Sequence, residues 1–258
     1  MRAHPTAIID TAARLACTVT VGPYSVIGKD VELGDDCEVM SHVVIGGPAR
    51  AGKGNRFFPY ASIGLDPQDT KYHGEQTRLE IGDGNTFREF VTVHRGTEEG
   101  GGVTRIGSRN LLMAYVHVAH DCRLEDDIIM ANGASLAGHV EIGDHATVGA
   151  FCGIHQFCRI GAHSFLGSYT IANKDILPYS KTSAPRPMEV LGANRIGLER
   201  HGLGKHDIDE LEAALRLLTR SKLNTTQAIE AIEARGFQSP HVQALTRFIR
   251  ESQRGVVK

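Results

Sequence analysis

Residues 106–166 read IGSRNLLMAYVHVAHDCRLEDDIIMANGASLAGHVEIGDHATVGAFCGIHQFCRIGAHSFL, and a hydrophobic residue occupies every sixth position of this stretch. The positions that share this spacing are Ile106, Leu112, Val118, Leu124, Met130, Leu136, Ile142, Val148, Ile154, Ile160 and Leu166. Only 41% of the chain is hydrophobic. Eleven successive hits would therefore occur by chance in roughly 1 of 10,000 starting frames, so the period indicates a repeated structural unit.

The same period extends over much of the remaining chain. One series runs from Ile9 to Ile63 and another from Ile81 to Val93, and glycine follows many of these apolar residues. A period of six matches neither a helix nor an alternating strand. It predicts a hexapeptide array, in which three hexads form a triangular coil and successive coils stack as parallel β-sheets. We expect the glycines to serve the corners, where positive φ or cramped backbone favours them.

Two segments interrupt the repeat and are expected as external loops. Residues 65–78 are polar and turn-rich, and residues 95–105 contain three consecutive glycines. Solenoids place insertions on the outside, often beside the binding face. The hexads fade after Leu166, and a proline-rich stretch over 177–187 leads into a helical pattern. We therefore expect a mainly β fold, with a parallel β-helix over residues 1–187 and a small C-terminal α-helical domain over residues 188–258.

The C-terminal part shows helical spacing in two places. One apolar stripe consists of Ile208, Leu211, Leu215 and Leu218. Asp207 and Glu210 are spaced as a capping box for that helix. Ser239 before Pro240 predicts the start of another helix. Its apolar face would be Val242, Leu245, Phe248 and Ile249. Such a bundle would cover the last layer of the solenoid core.

The composition favours a soluble cytosolic protein. The formal net charge of the 258-residue chain is -2, which argues against polyanion binding as its main activity. No secretory signal or membrane span is expected from the apolar patterning. The five cysteines form no CxxC pair, and four of them lie four residues after an apolar repeat position. We expect these four, Cys37, Cys122, Cys152 and Cys158, to be buried free thiols.

The segment YVHVAHDC, residues 115–122, is the strongest candidate for chemistry. Since one coil takes eighteen residues, His120, Gly138 and Gln156 should form one vertical column with about 4.8 Å between rungs. Asp121 is the expected partner of a His120 general base, and a glycine N–H can stabilise an oxyanion because no side chain blocks approach. A zinc site involving His117 and His120 is the alternative. The spacing of the other histidines does not favour it, and no metal is expected.

Seven motifs follow one another along the chain: HPTAIID (4–10), SHVVIGG (41–47), PQDTKY (67–72), VTVHRGT (91–97), LLMAYVHVAHDC (111–122), LAGHVEIGD (136–144) and IHQFCRIGAH (154–163). In this order they closely resemble the UDP-N-acetylglucosamine acyltransferases of lipid A synthesis, over essentially the whole length of the chain. Membership implies a left-handed β-helix in a homotrimer, with active sites between subunits and no cofactor. It also implies transfer of an (R)-3-hydroxyacyl group from acyl carrier protein to the glucosamine 3-hydroxyl of UDP-N-acetylglucosamine, the first step of lipid A synthesis.

The resemblance also implies residue roles. His120 would be the base, Asp121 its orienting partner and Gly138 the oxyanion donor. The residues implied to bind sugar, phosphates or acyl donor are Lys71, His117, His139, His155, Gln156, Gln68, Asp69, His94, Asn194 and Arg200. Ser168 would close the acyl groove and set chain length, with a medium to long chain expected. His201 and Ile196 depart from the family pattern near the diphosphate. Candidates for carrier-protein docking are Arg216, Arg220, Lys222 and Arg247.

Two other functions are weighed against this one. A related N-acyltransferase acting on UDP-acylglucosamine shares the repeat and a histidine base, but that family usually has an N-terminal uridine-binding domain, and here the hexads begin by Ile9. A structural or ice-binding β-helix is the non-enzymatic alternative. Ice binders display regular threonine ranks, which this sequence lacks. His120→Ala separates the classes, because a scaffold would lose nothing measurable.

Overall fold

The structure is a computed structural model that describes residues 1–184 and 188–258. Its strands, in chain order, are β1 (Arg2–Ala3), β2 (Ile8–Ile9), β3 (Arg14–Leu15), β4 (Thr20–Val21), β5 (Val26–Ile27), β6 (Val31–Leu33), β7 (Glu38–Val39), β8 (Val44–Ile45), β9 (Ala49–Ala51), β10 (Arg56–Phe57), β11 (Ser62–Leu65), β12 (Arg78–Ile81), β13 (Thr86–Phe87), β14 (Thr92–His94), β15 (Val103–Ile106), β16 (Leu111–Leu112), β17 (His117–Val118), β18 (Arg123–Leu124), β19 (Ile129–Met130), β20 (Ser135–Leu136), β21 (Glu141–Ile142), β22 (Thr147–Val148), β23 (Gly153–Ile154), β24 (Arg159–Ile160), β25 (Phe165–Leu166), β26 (Ile171–Ala172), β27 (Ser180–Thr182) and β28 (Val190–Ala193).

Every third strand joins the same sheet, so the chain coils around three sheets. The first sheet contains β1, β4, β7, β10, β13, β16, β19, β22, β25, β27 and β28; the second contains β2, β5, β8, β11, β14, β17, β20, β23 and β26; the third contains β3, β6, β9, β12, β15, β18, β21 and β24. All pairs are parallel except β27 with β28. Val118 pairs with Leu136, and Leu136 with Ile154, which is the predicted eighteen-residue rung.

The hexad positions form the core of the prism. Leu112, Met130 and Leu136 are fully buried, and Leu124 is 2% exposed. Each coil contributes one inward aliphatic residue per sheet, and stacking buries them in a continuous column. The four cysteines predicted to be buried are buried free thiols, whereas Cys17 is exposed.

The expected role of the repeat glycines is only partly correct. Most glycines that follow the apolar positions do not have positive φ, and the corners are taken by non-glycine residues such as Tyr24, Asp121 and His139, with φ of 57°, 61° and 62°. The glycines instead permit close approach of the next coil. A Cβ on Gly22 would lie 2.7 Å from the Met40 carbonyl carbon. Crowding, rather than dihedral freedom, therefore explains the glycine at these positions.

Three corners separate the sheets, and both external loops leave from the second. The first corner joins the first and second sheets, the second corner joins the second and third, and the third corner joins the third and first. The loops connect β11 to β12 and β14 to β15. They span 66–77 and 95–102, slightly less than expected, because the flanking residues extend the strands. Both insertions therefore lie at one edge of the prism, where His120 also lies.

Within residues 188–258, four helices follow the solenoid: α1 (Arg195–Arg200), α2 (Lys205–Thr219), α3 (Thr225–Ala234) and α4 (Pro240–Glu251). The predicted apolar stripe of α2 is buried, and Ser239 caps α4 ahead of Pro240 as predicted. The capping box at Asp207 is wrong, because α2 begins at Lys205 behind Gly204. Glu210 instead accepts a hydrogen bond from the Ser239 N–H at 2.7 Å, at the start of α4.

The expected division of the chain at 187 and 188 falls at residues 185–187, which lie outside the described residues. On the described side, Asp175 N–H donates to the Gly255 carbonyl at 2.9 Å, and its Oδ2 accepts from the Ser252 hydroxyl at 2.7 Å. Arg159 lies over the Phe248 ring at 4.5 Å. The end of the chain thus packs back onto the last coils.

Candidate active site

The second corner brings His120 and Asp121 together. His120 follows β17, and its Nδ1 lies 2.8 Å from Asp121 Oδ2. The Asp121 side chain is 1% exposed and that of His120 16%. Since a carboxylate only accepts hydrogen bonds, Nδ1 donates. Nε2 is left to face Asp69 of the first loop, across the space between that loop and the second corner, which we call the crevice. The contact between these neighbours, which the sequence alone could only suggest, is therefore present.

The second loop holds the Asp121 carboxylate. Thr97 donates to it twice, from its backbone N–H at 2.9 Å and from its hydroxyl at 2.6 Å. The Asp121 N–H donates to Thr104 Oγ1 at 2.8 Å. Any side chain at Gly100 would collide with the same carboxylate. Sequence reasoning missed Thr97, because its contact crosses an insertion whose path no periodicity predicts.

Gly138 lies directly beneath the His120 ring, one coil further along. A Cβ built on it would be 2.5 Å from His120 Cε1 and 2.8 Å from Nε2. The Gly138 N–H donates to no acceptor within residues 1–184 and 188–258. The predicted column of His120 over Gly138 is thus present, with an unused backbone donor beside the imidazole.

Hydrogen bonding and burial set the ionisation of the site. The hydrogen bond to Asp121 raises the pKa of His120 above its ordinary value, although burial opposes it. Burial raises the pKa of Asp121, but hydrogen bonds from His120 and Thr97 outweigh it, so that pKa is lowered. Burial lowers the pKa of His139. The carboxylate therefore stays ionised at neutral pH and stabilises the charged form of His120.

Two further histidines line the second sheet beside this pair. Burial, followed by the neighbouring His94 and His120, lowers the pKa of His117 to about 4. His117 Nδ1 lies 2.8 Å from the Thr92 hydroxyl. Burial also lowers the pKa of His94, whose Nδ1 contacts the Asp66 carbonyl at 2.6 Å. Both rings are therefore neutral near pH 7 and can exchange hydrogen bonds with a ligand without holding a charge.

The first loop carries Asp69 and Lys71 to the crevice. Asp69 Oδ2 lies 3.9 Å from His120 Nε2. Lys71 Nζ bonds to Glu99 of the second loop at 3.0 Å, which raises the pKa of the lysine. Gln68 is exposed on the same loop. A cation is thus held at the rim, where an anionic ligand can exchange with the Glu99 carboxylate.

His139 follows Gly138, and its ring stacks on Phe157 at 4.4 Å. His120, Asp121 and His139 each offer one possible ligand atom, and these three atoms lie within 4.8 Å of one another. The three side chains could therefore hold a metal ion. His139 Nε2 is 3.7 Å from Asp121 Oδ2. That oxygen already accepts hydrogen bonds from Thr97 and His120, so coordination would have to break them.

The remaining predicted residues form no hydrogen bond with His120 or Asp121. Gln156 lies one coil beyond Gly138 in the predicted column, and both Gln156 and His155 are exposed. Ser168 is exposed at the first corner, at the opposite edge of the second sheet from His120. Asn194 Nδ2 donates to the His163 carbonyl at 3.0 Å, and Arg200 is exposed at the end of α1. Within the single chain, Ser168, Asn194 and Arg200 are therefore not hydrogen-bonded to His120 or Asp121.

His201 and Ile196, which depart from the expected pattern, have different surroundings. The His201 ring packs against His145 at 4.4 Å and His163 at 5.4 Å between ring centroids. Burial lowers the His201 pKa. Ile196 is 63% exposed on α1. His201 thus packs as a neutral ring among the imidazoles of His145 and His163.

Family models match two parts of the chain. Residues 175–257 match domain 2 of UDP N-acetylglucosamine O-acyltransferase, and residues 12–47 match the bacterial transferase hexapeptide repeat. An acyl-[acyl-carrier-protein]--UDP-N-acetylglucosamine O-acyltransferase from Alkalilimnicola ehrlichii is 51% identical over 100% of this chain and 99% of its own length. One from Syntrophobacter fumaroxidans is 44% identical over all of both chains. The chain belongs to the UDP-N-acetylglucosamine O-acyltransferase family.

Solved structures of this family have the same fold. The Moraxella catarrhalis UDP-N-acetylglucosamine O-acyltransferase superposes with a TM-score of 0.96 at 43% identity, covering 100% of both chains. An Arabidopsis UDP-N-acetylglucosamine acyltransferase gives 0.86 at 31% identity over 99% of each. The predicted left-handed parallel β-helix is confirmed, and so is the prediction of an acyltransferase of this family. The N-acyltransferase and the structural β-helix are accordingly set aside.

Proposed function

We propose that this chain moves an (R)-3-hydroxyacyl group from acyl carrier protein to the glucosamine 3-hydroxyl of UDP-N-acetylglucosamine, the first step of lipid A synthesis, with His120 as general base. The observation that carries the mechanism is an imidazole fixed at Nδ1 by a buried carboxylate, with Nε2 only 2.8 Å from where a Cβ on Gly138 would lie. The full-length relatives support the substrates.

The proposed reaction follows from these positions. His120 Nε2 accepts the proton of the sugar 3-hydroxyl as its oxygen attacks the thioester carbonyl carbon. The carbonyl oxygen becomes an oxyanion, to which the Gly138 N–H donates. When the intermediate collapses, the carbon–sulfur bond breaks and the imidazolium returns its proton to the departing thiolate. Asp121 stays ionised throughout and stabilises the imidazolium.

A purified-protein assay tests the activity. The chain is mixed with UDP-N-acetylglucosamine and 3-hydroxyacyl carrier protein, and the acylated sugar nucleotide is followed by mass spectrometry. A matched acceptor with its 3-hydroxyl methylated should give no product. Absence of transfer to the free 3-hydroxyl would eliminate the proposal.

Transfer should fall in acid, because only the neutral imidazole accepts the proton. The His120 pKa is raised, so kcat/KM should decline by about tenfold per unit as the pH falls through that value and level off above it. In Asp121→Asn the hydrogen bond to a carboxylate, which is the main cause of the raised His120 pKa, is gone, whereas burial, which lowers that pKa, remains. The midpoint should therefore move to lower pH. Profiles of kcat/KM against pH for both proteins check this; an upward shift would contradict it.

The acyl chain is proposed to cross the second sheet toward Ser168. Ser168 lies 48 residues beyond His120, which is less than three coils or roughly 13 Å along the axis. Ser168→Met should shorten the preferred donor, since the longer side chain fills the end of the groove. Competition between donors of different length measures the shift. An unchanged donor profile would remove Ser168 from this role.

The site is proposed to be completed in a homotrimer. At the first corner a ladder of rings, Tyr24, His42, Tyr60, Phe90 and Tyr115, stacks with 4.9–5.1 Å between centroids. Tyr115 is 62% exposed. A long exposed aromatic stripe is typical of a protein–protein contact. The ladder supports self-association, and light scattering of the purified chain measures the number of copies.

Carrier-protein docking is proposed on the helical bundle. Arg216 and Arg220 border a cavity of about 510 Å³ on α2, together with Arg195 and Arg235. Clustered guanidinium groups favour an acidic partner. Lys222 and Arg247 remain further candidates. A cytoplasmic location is also proposed; in the described residues no helix is long and apolar enough to cross a membrane.

A further inference from the structure

Arg95 is a buried cation at the start of the second loop. Its side chain is 9% exposed, and its guanidinium donates to the Gly64 carbonyl at 2.6 Å and to the Tyr72 hydroxyl at 3.1 Å. It also forms an ion pair with Asp66. The Arg95 backbone N–H donates to the Leu65 carbonyl at 3.1 Å. A single residue of the second loop thus contacts both the start of the first loop, at Gly64 and Asp66, and its middle, at Tyr72.

These contacts continue to the crevice. The Tyr72 N–H donates to the Asp69 carbonyl at 3.1 Å, and the Tyr72 hydroxyl donates to the Glu75 carbonyl at 3.0 Å. Asp69 in turn faces His120 Nε2 at 3.9 Å. The path from Arg95 through Tyr72 therefore ends at the loop residues nearest the proposed base.

We propose that Arg95 is a positioning residue, which holds the loop over 66–77 so that Asp69 and Lys71 face the nucleotide sugar. The inference rests on the proposed function, since it assigns the sugar acceptor to this loop. Arg95 hydrogen-bonds neither His120 nor Asp121. Asp121 bonds instead to His120, Thr97 and Thr104. The loss of Arg95 should therefore impair acceptor binding while the hydrogen bond between His120 and Asp121 stays in place.

The geometry requires arginine. Gly64, Asp66 and Tyr72 offer acceptors in different directions, and a planar guanidinium reaches several at once. Lysine keeps the charge but offers a single nitrogen, so Arg95→Lys should lose at least one of these bonds. Hydrogen bonds to charged groups are stronger than neutral ones, and breaking them frees the loop.

The experiment measures steady-state kinetics of Arg95→Lys with each substrate varied separately. We expect KM for UDP-N-acetylglucosamine to rise about tenfold or more. KM for the acyl carrier protein should stay as in the parent chain, and the pH midpoint of kcat/KM should move to lower pH, because a displaced Asp69 no longer helps to raise the His120 pKa. Arg105→Lys is the matched control, because Arg105 is half-exposed and pairs with Glu80 on the third sheet. It should leave all three quantities unchanged.

A second readout does not depend on activity. Lys71 lies on the loop with a side chain 69% exposed, so trypsin cleavage after it reports loop opening. Cleavage should be faster in Arg95→Lys than in Arg105→Lys. If the parent chain shows no acyl transfer, the proposed function fails while this measurement still decides whether the loop is held by Arg95.

Tyr72→Phe is a second variant, which tests the proposal if Arg95→Lys does not fold. It removes only the hydroxyl that Arg95 contacts, so KM for the acceptor should rise less, in the same direction. In the double variant, the change in KM expressed as a free energy should be smaller than the sum of the two single changes, because both substitutions break the same contact between Arg95 and Tyr72. Equal changes in KM for both substrates, or unchanged tryptic cleavage, would overturn the proposal.

Discussion

His120→Ala should remove nearly all acyl transfer while the protein stays folded. General-base catalysis contributes about 10²–10⁴-fold in rate, and no other imidazole is held by Asp121 at hydrogen-bond distance in the described residues. Asp121 keeps its two hydrogen bonds from Thr97 in the variant, so its buried carboxylate retains partners. We therefore expect a fall in kcat with little change in the melting temperature. Single-turnover kinetics and circular dichroism check both.

The control for this substitution is His206→Ala. His206 lies on α2 with a side chain 73% exposed, 3.5 Å from Glu210. It should retain full activity. Turnover retained by His120→Ala would remove His120 as the base. Activity lost together with the melting transition would show a structural role instead.

Gly138→Ala should be nearly as damaging, through geometry rather than chemistry. The added methyl group would sit 2.5 Å from His120 Cε1, which is closer than van der Waals contact allows. The ring must move, and a displacement of about 1 Å in a catalytic group can cost about 10²-fold in rate. The Gly138 φ is not in the left-handed region, so the backbone accepts alanine. We expect kcat to fall at nearly unchanged stability.

Gly204→Ala is the control, placed on the helical bundle before α2. Its Cβ would meet only Asp207 Oδ2, at 3.9 Å, and its φ of -68° suits alanine. Activity should be close to that of the parent chain. A fully active Gly138→Ala would mean that the His120 ring does not need its present position above the glycine, and would contradict the oxyanion site.

The solenoid could be predicted from spacing because its contacts repeat. Once Val118, Leu136 and Ile154 share a column, the residues two places further along must also stack, so His120 over Gly138 follows by counting. The same counting fails across the insertions. Neither Thr97 on Asp121 nor Arg95 on Tyr72 belongs to a period, and both depend on loop paths set by many individual hydrogen bonds.

The errors in the helical part have a similar cause. Asp207 and Glu210 have the spacing of a capping box, but Glu210 bonds to the start of α4, a contact between helices that local sequence does not contain. The capping box that does exist, Asn224 with Gln227 at the start of α3, has the expected residue types and was available in the sequence. The sequence pattern predicts glycine at the left-handed corner positions, because glycine adopts positive φ most readily. In this fold the neighbouring coil crowds the glycine positions instead, and residues with side chains occupy the corners.

The buried thiols give the protein a selective chemical handle. Burial raises the pKa of Cys37, Cys152 and Cys158, and that of Cys122 to about 12, so these four persist as unreactive thiols in the native state. Cys17 alone among the described cysteines is exposed. A maleimide dye should therefore attach at one defined place near the first coils, remote in sequence from the crevice, which makes the unmodified chain ready for fluorescence studies of substrate binding.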